Sequence, residues 1–273
     1  MYQKNKNKYI IDLFSGCGGF AEGFEKSGYK SYLAADFNFW SCETFKNRFK
    51  NTHVINEDIT TKKFKKILKS KMNGTPIEGV VAGLPCQSFS SVGRAQDKYS
   101  MRKDKRNYFY KDFFECLKII KPKFYVFENV RGILSAKPNG TKIFDDILNL
   151  SKKLGYVTLD NTSQMVFDTS EYGVPQVRKR VFVIGVLKKY PFIVPKIYDE
   201  LINKSKEKKI FTVKDAIADL PFLKPGEGEE KLKFKNSSKN NYLKKIKNSK
   251  VLYNHVARKH NEKDRQRYKY LSK

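Results

Sequence analysis

Cys86 stands in Gly83-Leu84-Pro85-Cys86-Gln87-Ser88-Phe89-Ser90, directly after the apolar run Val80 to Ala82. A short buried strand stopped by a proline brings the thiol out at the C-terminal edge of a sheet, where ligands bind in open α/β folds. A thiol in that place is a candidate nucleophile. It must first ionise, and nearby arginines or a helix end would promote that. Glu128 ends a second apolar run, Phe124-Tyr125-Val126-Phe127. A carboxyl leaving a buried strand is partly desolvated, its pKa rises, and it suits a proton donor near neutral pH; taken alone, it reads more readily as a cap on the segment that follows, through Asn129 and Arg131. Arg178 and Arg180 alternate with Val177, Lys179 and Val181, so they are expected to share one strand face. Paired guanidiniums suit a carbonyl or phosphate oxygen, and a generic basic edge strand is the alternative.

A second set of residues has the pattern of a nucleoside pocket. Gly16-x-Gly18-x-x-Ala21 follows the apolar stretch Tyr9 to Phe14 and opens a helix. Glycines there let the backbone approach a ligand, and the helix N-terminus offers free N–H groups. Asp36 ends the next apolar stretch, 20 residues after Gly16, the spacing at which a carboxylate meets ribose hydroxyls. Phe37 could lie flat on a purine. A third strand, Thr52 to Asn56, ends in Glu57-Asp58-Ile59, an acid and an apolar side chain suited to an exocyclic amine and an adenine face. The G-x-x-x-x-G-K-[ST] loop of ATP-hydrolysing enzymes does not occur.

The elements that must position these residues alternate between strand and helix. Strands are expected at 8–14, 31–35, 52–56, 80–82, 124–127 and 181–186, with 156–166 a strand or strand pair. Helices are expected at 20–27, about 40–49, 60–72, 107–120 and 143–154. Residues 87–106 form a long polar and basic loop, and its place directly after the cysteine suits a lid. From Lys188 the rhythm stops. A short helix capped by Thr212 and ended by Pro221 is expected, then an extended or mobile stretch, 224–250, and a basic helical end.

The chain carries 56 basic and 28 acidic residues, a formal charge of +28. A Lys- and Asn-rich proteome explains the lysines but not the shortage of acids, so a polyanion, DNA or RNA, is the expected partner. Four cysteines without C-x-x-C pairing and three histidines give no zinc pattern, and no metal is expected. Reduced thiols fit a cytosol. No run reaches the length of a membrane span, and the basic N-terminus lacks the apolar core of a secretory signal.

In family order, these residues resemble the C5-cytosine-specific DNA methyltransferases. Asp12-Leu13-Phe14-Ser15-Gly16-Cys17-Gly18-Gly19-Phe20 is similar to the family's cofactor motif. Pro85-Cys86-Gln87 is similar to its nucleophile motif, Glu128-Asn129-Val130 to its acid motif and Gln176-x-Arg178-x-Arg180 to its Q-x-R-x-R motif. The resemblance implies a Rossmann-like S-adenosylmethionine-dependent methyltransferase sheet with helices on both faces. It assigns catalysis to Cys86, Glu128, Arg178 and Arg180, with Arg180 holding the cytosine O2. It assigns S-adenosyl-L-methionine, leaving as S-adenosyl-L-homocysteine, to Phe14, Ser15, Gly16, Cys17, Gly18, Gly19, Asp36, Phe37, Asp58, Ile59, Gly83 and Pro85. Double-stranded DNA falls to Gln87, Ser88, Ser90, Arg94 and Gln176, with the target base flipped out of the stack. Residues 1–187 are then a catalytic domain and 188–273 a basic linker with the start of a recognition region. The recognition region and final motifs are not found. The expectation is therefore a catalytic chain served by a second polypeptide, in a prokaryotic cytoplasm at the nucleoid. An RNA cytosine methyltransferase, or a fragment that binds without turnover, is the alternative.

Overall fold

A computed structural model describes all residues except 1–6, 73, 86–88, 90–103, 139, 206–209, 235–240, 248 and 272–273. The chain divides into two compact units. One comprises residues Met1–Asp168 and Arg178–Glu207, the other Thr169–Val177 and Lys208–Lys273.

The first unit is built on one eight-stranded sheet. Its strands are β1 (Lys8–Leu13), β2 (Tyr29–Asp36), β3 (His53–Asn56), β4 (Ile77–Gly83), β5 (Phe124–Val130), β6 (Tyr156–Thr158), β7 (Val166–Asp168) and β8 (Lys179–Leu187). They run in the order β3-β2-β1-β4-β5-β8-β6, with β7 also paired to β8. The first five are parallel; β8 runs antiparallel to β5, β6 and β7. The strand order reverses between β1 and β4. Open α/β sheets bind ligands at such a switch point, beyond the carboxyl ends of the strands, and the two strand ends there are followed by the Gly16 turn and by the Cys86 stretch.

Successive side chains of a strand point to opposite faces, and β5 shows what each face buries. Phe124 stacks on Phe24 of helix α1 (Gly19–Lys26), with ring centroids 6.1 Å apart. Its neighbour Tyr125 is fully buried and meets Phe113 and Phe114 of a helix on the other side. Three further helices are α2 (Phe39–Arg48), α3 (Lys62–Met72) and α4 (Phe109–Ile120). Phe45 of α2 packs with Phe49, Ala21 and Ala34 in a dry cluster, and Phe64 and Leu68 of α3 are wholly buried. In α4 the apolar positions recur at helical spacing, so Tyr110, Phe113, Phe114 and Leu117 form one buried face. Helix α5 (Ile143–Lys153) buries Phe144 and Ile147, and its Ser151 hydroxyl accepts the Tyr125 O–H at 2.8 Å.

Three parts of the chain depart from the sequence reading. The α/β rhythm does not stop at Lys188, because Ile193–Ser205 forms a helix, α6, belonging to the first unit. Buried Tyr198 anchors it: the hydroxyl donates to Phe182 O at 2.7 Å and accepts Ile184 N–H at 3.1 Å. Proline at 195 is tolerated because a first-turn residue has no intrahelical N–H partner to lose. Strand β8 starts at Lys179, so Arg178 precedes the strand and does not share its face. The stretch 224–250, expected to be extended or mobile, contributes β9 (Gly228–Lys233), which pairs antiparallel with β10 (Val251–Val256) just beyond it, so His255 and Val256 lie in a strand and not in the basic helical end.

The second unit also holds helices α7 (Val213–Ile217), α8 (Asn241–Ile246) and α9 (Glu262–Leu271). Thr212 and Asp215 form a reciprocal capping box on α7. Asp219, almost fully buried, pairs with Lys247 Nζ at 3.0 Å, and the same ammonium sits 3.4 Å from the Phe234 ring centroid. No described helix is long and apolar enough to cross a membrane.

Candidate active site

The turn after β1 takes backbone conformations that suit glycine. Gly16 and Gly18 have φ of 51° and 96°, and Phe14, a non-glycine residue, has φ of 54°. The turn is closed by Gly18 N–H to Ser15 O at 3.0 Å and tied to β2 by Ser15 N–H to Ala35 O at 3.1 Å. The two glycines differ in what surrounds them. A Cβ on Gly18 would lie 2.5 Å from Phe49 Cε2, whereas one on Gly16 would meet nothing within 4 Å. Gly18 therefore serves packing, while Gly16 faces open space in which a ligand can approach the backbone. Phe14 stacks on Phe109, centroids 5.7 Å apart. Cys17 and Gly19 lie exposed at the rim.

Asp36 ends β2 and both its carboxylate oxygens accept backbone N–H groups: Oδ2 from Gly16 at 2.9 Å and Oδ1 from Asn38 at 2.8 Å. The next residue, Phe37, leaves 71% of its surface exposed, a free aromatic face beside the turn. Asp58, after β3, accepts the Thr60 N–H and O–H at Oδ1, while Ile59 is buried. Gly83, at the end of β4, stands in register with Glu128 of β5, and Pro85 is partly buried.

Two polar atoms beneath the turn have no partner among the described residues: Asp12 Oδ1 and Ser15 Oγ. Asp12 is fully buried, and Oδ2 alone accepts Ala21 N–H at 3.3 Å. Burial is the main cause that holds its pKa well above the usual carboxylate range; the Ala21 N–H opposes this and nearby Asp36 adds to it. An open cradle at Gly16, an exposed ring at Phe37, strand-end acids and orphaned buried acceptors fit a nucleoside ligand that also carries a cationic group. Asp12 had a sequence signal, an acid inside an apolar strand, but its role is apparent only from the helix N-terminus it caps.

On the other side of the switch point, Glu128 and Arg180 meet. Arg180 Nε lies 2.8 Å from Glu128 Oε1, with side chains 16% and 21% exposed. The contact is electrostatic more than directional, since the same Nε makes no well-aligned hydrogen bond. Arg180 Nη1 donates instead to Lys179 O at 2.8 Å. Val130 pairs with Arg180 across β5 and β8, which sets the two side chains at adjacent strand ends. The Glu128 pKa is raised, first by burial, with Arg180 and then Arg178 pulling it back. Arg178 is itself exposed, and its N–H donates to Asp168 Oδ1 at 3.2 Å. Gln176 is exposed and belongs to the second unit. Cys86, Gln87, Ser88, Ser90 and Arg94 lie outside the described residues, between buried Leu84 and the 3-10 turn that begins at Lys105. No group of three or more His, Cys, Asp or Glu side chains among the described residues could hold a metal ion.

The arrangement has room for a nucleoside at one strand edge and sets a carboxyl of raised pKa beside a guanidinium at the next. The family model for C-5 cytosine-specific DNA methylase matches residues 9–273. Type II methyltransferase M.DdeI of Desulfomicrobium norvegicum is 36% identical over 259 residues, covering 93% of this chain and 58% of that protein. Type II methyltransferase M.AquIA of Picosynechococcus is 30% identical over 230 residues, covering 80% of this chain and 91% of that protein. A crystal structure of a prophage-encoded E. coli protein, named as a DNA modification methyltransferase, superposes with a TM-score of 0.74 at 27% identity. That likeness covers 96% of this chain and 75% of the other. The chain spans 58% of M.DdeI and 62% of M.Bpa9945I, less than two-thirds of either relative's length.

Proposed function

Since the chain belongs to the C-5 cytosine-specific DNA methylase family, we propose that it is the methyl-transferring part of a DNA (cytosine-5)-methyltransferase. The observation that carries this reading is the Glu128–Arg180 pair beside a switch-point nucleoside site. S-adenosylmethionine, held by the Gly16 turn, Asp36, Phe37 and Asp58, would supply an electrophilic methyl group.

The chain's own residues do the rest. Cytosine C5 is a poor nucleophile, so Cys86 Sγ, as thiolate, adds to C6 of the flipped base. Electron density moves from C6 toward C5 because Glu128 donates a proton to N3 and neutralises the ring charge. A carboxyl whose pKa is raised by burial retains that proton closer to neutral pH. Arg180 then exchanges its carboxylate for the base's O2. After methyl transfer a base removes the C5 proton and Cys86 leaves. Gln87, Ser88, Ser90, Arg94 and Gln176 take the DNA side.

On this reading the first unit is the catalytic domain and the second is the start of the recognition region, working on chromosomal DNA in a prokaryotic cytoplasm. A further polypeptide completes it. In support, an apolar groove of 460 Å³ runs beside α1 between Phe24, Phe124, Val126, Ile184, Val186 and Ile197. A buried apolar helix face is what such a groove fits. The decisive test is transfer of labelled methyl from S-adenosylmethionine to mixed-sequence duplex DNA, with Cys86→Ala as control. Incorporation that persists in Cys86→Ala would sink the mechanism. Incorporation by this chain alone would remove the need for a partner.

A further inference from the structure

The end of β3 carries a side chain to which no role has been given. Asn56 stands opposite Asp36 in the β2–β3 register. Its Nδ2 donates two hydrogen bonds, to Asp36 O at 3.1 Å and to Phe37 O at 2.9 Å. Both partners are carbonyls, so the amide must present its nitrogen to them, and both of its protons are used. The Glu57 N–H also donates to Asp36 O, at 3.1 Å, and the Cys42 thiol of α2 reaches the same oxygen at 3.3 Å. The peptide that leaves β2 is therefore fixed largely from the neighbouring strand, and it carries both Asp36 and Phe37 of the proposed nucleoside site. Asp36 holds the Gly16 and Asn38 N–H groups through its side chain. Asn38 in turn caps α2 by accepting Ser41 N–H at 2.9 Å.

Exposed aromatic rings seldom stay fixed on exposed backbone, because ordering a residue costs backbone entropy. Here that cost is met before any ligand arrives. We propose that Asn56 is a positioning residue for the methyl donor: it pre-organises the Asp36–Phe37 peptide, and through Asp36 the Gly16 turn, in the empty protein. Asn56 makes no bond to the ligand in this scheme. It lowers the ordering that binding would otherwise require, the general route by which preorganisation raises affinity. The inference rests on the reading of this edge as the S-adenosylmethionine site.

The test uses S-adenosylhomocysteine, titrated calorimetrically into the full chain, together with amide hydrogen exchange of the ligand-free protein. Asn56→Ala is expected to weaken binding about tenfold, the size of one to two net hydrogen bonds. Asn56→Asp, of the same shape but with no donor and a charge facing two carbonyls, is expected to weaken it further. In the empty protein both variants should speed exchange at Gly16, Asn38 and Glu57, with the β1 amides unchanged. If methyl transfer is measurable, KM for S-adenosylmethionine should rise much more than kcat falls. Unchanged exchange at Gly16 and Asn38 in Asn56→Ala would overturn the proposal, as would wild-type affinity in both variants. Failure of the wild-type chain to bind S-adenosylhomocysteine would instead overturn the site reading, and the exchange data would still decide whether Asn56 fixes the peptide.

Discussion

Removing Arg180 should make the protein's stability depend on pH in a way that reports Glu128. In the intact pair the guanidinium faces a carboxylate at 2.8 Å with both side chains mostly buried. Removing one partner of a buried pair costs roughly 3–5 kcal/mol, because a charge is left without compensation. The residual exposure places Arg180→Ala near the lower figure, about 3 kcal/mol. Glu128 has an escape, since it can take a proton, and each pH unit below its pKa relieves about 1.4 kcal/mol. Its folded pKa is already raised. A raised carboxyl contributes stability below its unfolded pKa and loses it as pH rises through the folded value. Without Arg180 the folded pKa climbs further, so the loss extends to higher pH. The variant should therefore melt close to wild type near pH 4.5. At pH 8.5 it should melt about 6–12 °C lower, at roughly 2–4 °C per kcal/mol for a domain of this size. Glu128→Gln in the same chain should restore most of the difference at pH 8.5. The assay is thermal unfolding followed by circular dichroism across that range. An equal loss at both pH values, or no recovery in the double variant, would refute the assignment of a compensated buried pair.

Further outcomes are expected elsewhere. Asp12→Asn keeps an acceptor for the Ala21 N–H and removes a buried carboxyl whose pKa is raised. It should match wild type in acid and become the more stable as pH rises, whereas Asp12→Ala should follow the same pH trend but lie about 1 kcal/mol below Asp12→Asn at every pH in urea unfolding. Gly18→Ala, with its Cβ forced against Phe49, should cost about 2–3 kcal/mol through overpacking and positive φ. Gly16→Ala, whose Cβ would meet nothing within 4 Å, should cost only about 1 kcal/mol of stability yet abolish calorimetric binding of S-adenosylhomocysteine if the proposed ligand fills that open space. In the second unit, Lys247→Met leaves Asp219 buried without its cation and should destabilise that unit by about 3 kcal/mol, read as a lower-temperature transition in calorimetry.

The parallel strands were legible because β-branched and aromatic runs end in acids or glycines, and the helices between them carry apolar residues at helical spacing. Gly16, Asp36, Phe37, Glu128 and Arg180 could be named from those rules, since strand ends are visible in sequence. What could not be read was anything set by a partner distant in the chain. The work Asp36 does for Gly16 requires β1 beside β2, and Asn56 looks like a polar strand terminus until the Phe37 carbonyl is placed against it. Helix Ile193–Ser205 was hidden by prolines at 191 and 195, of which only the second lies in the helix, within its first turn. The β9–β10 pairing joins a Glu- and Lys-bearing strand to an uncharged one, Val251–Val256, across a separate helix, and no local pattern announces so distant a partner. Arg178 illustrates the opposite error: alternation suggested a strand face, but the strand begins one residue later.

The second unit is assembled from two stretches of chain, residues 169–177 and 208–273. This has a consequence for inheritance. A single genetic crossover after residue 207 would bring in a foreign 208–273 but leave the native 169–177 strap behind, so the two parts of one unit would come from different parents. Swapping the unit whole needs exchange at two places. The first of these lies only two residues from Arg180 on one side and abuts Asp168 on the other. Recombination that diversifies this unit must thus break the chain between β7 and β8 without altering either strand, and lineages are expected to vary it by point substitution or by replacing both stretches together.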